Sequence, residues 1–194
     1  MTKRSRTAAL AIVGAASFAL AGCREEPVEA QAFPDLESCR SAVGPTSLFS
    51  EQDCTNAFAE AETLHAETAP RYDSLAVCEE QYGEGNCGSE AQATGGGSGS
   101  IFMPLLAGYL IGNMLGGQRG LAAQPMYRNA NGRFTTPAGG TTYANNTGRA
   151  NLNPSTFNKA PVTAGKPPLT RATAASRGGF GGSKTGSGLR SFGG

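Results

Sequence analysis

The sequence predicts a small all-α minidomain of three short helices stapled by disulfides, followed by a short glycine-zipper helix and a long disordered basic tail. Three observations predict it. Helical stripes with caps occur together only in residues 35–88, which also hold Cys39, Cys54, Cys78 and Cys87. An uncharged run from Ile101 to Leu115 carries Gly108, Gly112 and Gly116 at four-residue steps. From residue 118 to 194 the chain is Gly, Ala, Thr, Asn, Ser and Pro with scattered basic residues and no sustained periodicity. Such a composition buries too little apolar area to offset the entropy of ordering the backbone.

Residues 1–22 read as a secretory signal. Lys3, Arg4 and Arg6 form its charged start, and the uncharged stretch Ala8–Leu20 is too short for a permanent membrane span. Leu20-Ala21-Gly22-Cys23 closes it with small residues before a thiol, an arrangement that resembles bacterial lipoproteins. The resemblance implies cleavage between Gly22 and Cys23, with diacylglycerol and a palmitate-type chain carried by Cys23. Two or three acyl chains hold a protein on a membrane where one does so only marginally. In such lipoproteins aspartate after the lipidated cysteine marks inner-membrane retention, and Arg24 stands there instead. The expected location is therefore the cell envelope, on the periplasmic face of the outer membrane. Residues 23–34 serve as the tether.

Residues 35–88 form the minidomain. Asp35 and Ser74 are matching N-cap candidates, followed by Leu36, Cys39, Val43 and Gly44 in one copy and by Leu75, Cys78, Tyr82 and Gly83 in the other. This echo at an offset of 39 residues predicts two similar helices, each ended by a glycine. Between them Ser50 and Asp53 make a capping box for a longer helix. Its stripe runs through Cys54, Phe58, Ala61, Leu64 and Thr68, and Pro70 stops it. The expected core is Leu36, Val43, Phe49, Phe58, Leu64, Tyr72, Leu75 and Tyr82. So few residues bury little area, which gives cross-links their importance. In an oxidising compartment the four cysteines read as two disulfides, and no CxxC pair suggests a metal or redox centre. Four cysteines allow three pairings; the echo favours Cys39 with Cys54 and Cys78 with Cys87.

Residues 89–100, with Gly95-Gly96-Gly97, read as a flexible linker. In the apolar segment 101–117, Gly108, Gly112 and Gly116 fall in one column of a helix and let another backbone approach closely. That helix, or a hairpin, packs on the minidomain, enters a membrane part-way, or self-associates. In the tail 118–194, Tyr127, Phe134, Tyr143, Phe157, Phe180 and Phe192 are spaced like isolated adhesive sites rather than a core.

Charge is segregated. Residues 24–90 hold all fifteen acidic residues and only three basic ones, Arg24, Arg40 and Arg71, for a net charge of −12. From residue 101 onward Arg119, Arg128, Arg133, Arg149, Lys159, Lys166, Arg171, Arg177, Lys184 and Arg190 give +10 with no acid. This basic half is the candidate for binding anionic envelope polymers or lipids, with no sequence-specific nucleic-acid recognition. Enzymatic chemistry lacks its parts. His65 is the single histidine, Glu60, Glu62 and Glu67 read as a solvated face, and Gly182-Ser183-Lys184-Thr185 lacks the strand and helix of a phosphate loop. The sequence calls for no cofactor and no metal.

The order of parts resembles the YgiB family of uncharacterised bacterial envelope proteins. The likeness is carried by Cys54-Thr55 with Ala57-Phe58, by Thr68-Ala69-Pro70-Arg71-Tyr72 and by Cys78 followed by Tyr82-Gly83-Glu84-Gly85 and Cys87. Phe102-Met103-Pro104-Leu105 leading to Ala107-Gly108-Tyr109, and Arg177-Gly178-Gly179-Phe180-Gly181, add to it. The resemblance implies no known activity. It implies a neighbour similar to ATP-grasp glutathionylspermidine synthases, to which this chain would be an accessory. The leading expectation is a non-catalytic envelope lipoprotein binding anionic components or a protein partner through its basic tail. The alternatives are a membrane-associating or self-assembling protein driven by the glycine zipper, or that enzyme accessory.

Overall fold

Val28, Ala30 and Ala32 alternate with Glu29 and Gln31, and this period of two makes the start of the body a strand, not a tether. The computed structural model describes residues 26–114, 120–139 and 141–176. In chain order its first elements are β1 (Val28–Phe33), α1 (Leu36–Ser41), α2 (Glu51–Thr68), α3 (Leu75–Tyr82), β2 (Cys87–Ser89), α4 (Glu90–Thr94) and β3 (Phe102–Pro104). Then follow β4 (Gly108–Asn113), β5 (Leu121–Arg128), β6 (Phe134–Thr135), β7 (Thr142–Tyr143), β8 (Gly148–Leu152), a 3-10 turn (Pro154–Phe157) and α5 (Arg171–Ser176). Among the described residues a curled antiparallel sheet has the order β7-β6-β5-β4-β1-β8, and β2 pairs with β3 separately.

The predicted caps stand where expected. Asp35 accepts the Ser38 amide at 2.7 Å, Ser50 and Asp53 close a full capping box, and the Ser74 side chain caps α3. Both disulfides join the cysteines that the echo pairs, Cys39 to Cys54 and Cys78 to Cys87. The all-α minidomain does not survive. The apolar face of α2 lies on β4 and β5, so Cys54, Ala57 and Ala61 share a core with Phe33, Tyr109, Ile111 and Ala123. Leu75, expected in the core, is 40% exposed.

The glycine-zipper helix is a strand. Gly108 to Gly112 are all buried in β4, because helices cover one face of the sheet and Phe134, Tyr143, Leu152 and Phe157 cover the other. A strand buried on both faces reads as an unbroken apolar run, and periodicity alone does not separate that from a helix. Gly108 has φ +144°, and a Cβ there would stand 2.8 Å from the Phe33 carbonyl oxygen. A Cβ at Gly112 would meet the Phe157 ring at 2.3 Å. These glycines serve close packing across a sheet, and Gly116 lies outside the described residues.

The tail and the linker are also corrected. Residues 120–139 and 141–176 supply four strands of the sheet, and Met126 and Tyr127 are fully buried. Phe134, Tyr143 and Phe157 pack with Ala32, Leu110 and Met126 in one cluster, so aromatics far apart in sequence form a core through non-local pairing. Phe180 and Phe192 lie outside the described residues. Within 89–100, Ser89 caps α4 and Glu90 makes a buried-side ion pair.

Candidate functional site

Arg71 follows the proline-stopped end of α2, in a half of the chain where cations are scarce, and only 5% of its side chain is exposed. A buried guanidinium must be matched donor by donor. Its Nε donates to Glu90 Oε1 at 2.8 Å, one terminal nitrogen donates to the Ala66 carbonyl at 2.6 Å, and the other to Thr163 Oγ1 at 2.6 Å. The helix carbonyls it caps carry the negative end of the α2 dipole, which favours a cation there. Glu90 in turn accepts the Ser98 amide at 3.0 Å, and that bond first, with Arg71 second, holds its carboxyl below the usual carboxylate range.

Arg71 thereby ties the far tail to the helices. The Thr163 amide donates to the Glu67 carbonyl at 2.8 Å, the Leu169 amide to the Arg71 carbonyl at 2.7 Å, and the Asp73 amide to the Leu169 carbonyl at 3.1 Å. The strap 160–169 and the end of α2 enclose a cleft of about 310 Å³. Pro70, Tyr72, Pro161, Pro167 and Leu169 make its apolar walls, and Gln81, Thr163 and Lys166 add polar atoms. Among the described residues no carboxylate, histidine or cysteine lines it. A small, mostly apolar concavity with a few placed polar groups has the character of a ligand site.

Behind the cleft lies an aromatic stack. Tyr72 meets Tyr82 at 6.2 Å, Tyr82 meets Tyr127 at 5.9 Å, and His65 Nδ1 shares a 3.1 Å hydrogen bond with the Tyr127 hydroxyl. Edge-to-face rings at these spacings stabilise beyond their buried area. His65 is 3% exposed, and burial pushes its imidazole down to about 4, opposed in part by the Ala93 backbone. The ring is neutral interior, not an accessible base.

Among the described residues, the basic side chains of the tail take separate partners. Lys159 pairs with Glu67 at 2.5 Å and Arg171 pairs with Glu80, both on the acidic half. Exposed pairs of this kind contribute about 0–1 kcal/mol. The tail is therefore held to the helices by buried contacts and backbone bonds, with charge a minor part. Arg133 donates to Thr142 and Arg149 to Gln31. Arg128 and Lys166 are exposed, and among the described cations of the tail Lys166 alone lines the cleft. Gly22, Cys23, Arg119, Arg177, Lys184 and Arg190 lie outside the described residues. Arg71 escaped the sequence reading as a site residue; its one signal was the Pro70-Arg71 step at a helix end. Among the described residues no helix is long and apolar enough to cross a membrane, and no group of three ligands suits a metal.

A family model for a protein of unknown function, DUF1190, matches residues 27–189. A UPF0441 protein of Erwinia tasmaniensis is 35% identical over 211 residues, covering 95% of this chain and 90% of that protein. UPF0441 proteins of Pectobacterium carotovorum and Klebsiella pneumoniae are similar at 34% and 33%, covering 91% and 89% of this chain and 80% and 78% of theirs. No solved structure matches.

Proposed function

The chain belongs to the DUF1190 family of proteins of unknown function, and on that premise we propose that it is a non-catalytic binding protein of the bacterial cell envelope. A lipid on Cys23 holds it at the outer membrane facing the periplasm, and the cleft with its flanking cation takes an anionic envelope component. The observation that carries this reading is Lys166, a solvent-exposed ammonium on the wall of the cleft, when Lys159 and Arg171 already face carboxylates. The lining supports binding because, among the described residues, it is mostly apolar and sets no carboxylate beside the exposed Lys166 ammonium, which is left to meet an anion.

Titrating the purified full chain with lipopolysaccharide tests this. Saturable binding should weaken as salt rises from low to physiological strength, since exposed charges are screened over about 8–10 Å. Lys166→Glu should weaken it by roughly tenfold, the equivalent of about 1.4 kcal/mol. Binding that is absent, or indifferent both to salt and to Lys166→Glu, overturns the proposal.

A further inference from the structure

Strand register decides which way a tethered molecule faces. Val28 opens β1 beside Leu152, Glu29 pairs with Asn113, and Asn113 pairs with Leu121, so one end of the sheet gathers the start of β1, the end of β4, the start of β5 and the end of β8. The cleft belongs to the opposite end. Tyr127, near the close of β5, stacks on Tyr82 and bonds His65, and the carbonyl of the cleft residue Gln81 accepts the Ala130 amide just beyond β5.

Resting on the lipid anchor proposed above, we infer that the Val28 end of the sheet is the surface that meets the lipid bilayer and that the cleft opens away from it. Two lengths decide this. Four residues separate Cys23 from Val28, and these five steps reach at most about 18 Å when fully extended. Leu121 to Tyr127 is six strand steps, about 20 Å. Bringing the cleft end down to the headgroups would lift Val28 farther than its tether extends. Glu26 and Glu29 are exposed at the membrane-facing end, so the short covalent leash, not charge attraction, holds that end there. The cleft is left to face soluble or polymeric partners across the compartment.

The native lipidated protein, reconstituted in vesicles carrying headgroup-nitroxide lipid, tests the orientation. Asn151 on β8 and Asn131 in the turn beyond β5 are both exposed. Asn151→Cys and Asn131→Cys, each labelled with bimane while the four body cysteines stay in their disulfides, should differ several-fold in quenching, with the label at 151 the more quenched. Equal quenching, or more at 131, overturns the orientation. Hydrogen exchange on the unsubstituted protein gives a second reading, with vesicle-induced protection expected at 26–29 and 151–155 and not at 129–133; protection confined to the latter also overturns it. Cys23→Ser should leave the vesicles. If it stays bound as the native chain does, the anchor fails and the orientation falls with it; a native chain that binds with reversed quenching removes the orientation alone.

Discussion

Gly112→Ala tests whether this glycine makes room for the Phe157 ring against β4. In β4 an added Cβ would stand 2.3, 2.6 and 2.8 Å from three atoms of the Phe157 ring, where ordinary contact begins at 3.4 Å. The ring must therefore withdraw by about 1 Å or more, and a gap of that size forfeits a quarter to a half of its contact energy with the floor beneath it. Overpacking of this kind costs about 1–3 kcal/mol, offset by roughly 0.5–1 kcal/mol from replacing a strand glycine. A net loss of about 1–2 kcal/mol should lower the urea midpoint of the oxidised full chain by roughly 0.5–1 M at an ordinary m-value. A solvent-facing helix would respond with the opposite sign, gaining about 1 kcal/mol from alanine. In a Phe157→Ala background the clash is gone, so Gly112→Ala should be neutral or slightly stabilising, and the cycle should return a coupling of at least about 1 kcal/mol. An unchanged or raised midpoint in the native background, or an equal loss with Phe157 absent, refutes the packing.

Two further perturbations probe the region behind the cleft. His65 is held neutral at about 4 against an unfolded value of 6.5, so below pH 6.5 the unfolded chain takes a proton that the folded one refuses. Stability should fall between pH 6.5 and 4 by up to about 3 kcal/mol more than in His65→Leu, measured by urea unfolding; parallel pH curves for the two proteins would rule this out. Arg71→Met strips the cation from Glu90 and the donors from the Ala66 and Thr163 oxygens, and should cost about 3 kcal/mol and expose the strap 160–169 to protease; a loss below about 1 kcal/mol with an intact strap contradicts the keystone role.

Local chemistry made part of this molecule readable. Ser50 with Asp53 announces α2 because a capping box needs only residues three apart, and Pro70 ends that helix by lacking the donor that would continue it. The disulfide pairs followed from the echo because each cysteine lies within one helix and turn of its partner. The cleft was not readable. Its walls come from Pro70–Tyr72 and from Pro161–Leu169, segments roughly ninety residues apart, and nothing in either one names the other.

From its order of residues alone this chain declares the N-caps Asp35, Ser50 and Ser74, the proline stop of α2, its cross-links and the division of its charge, since each depends on neighbours a few positions away; α1, by contrast, ends at Ala42 and not at the expected Gly44. Tertiary structure decided that Gly108–Asn113 is a strand, that residues 121–152 supply four more strands of the sheet, and that Arg71 joins the helices to the segment around Thr163. The reason is that a β-sheet draws its backbone partners from distant segments. A composition too poor to bury itself becomes ordered once α2 and β1 supply the surface it covers.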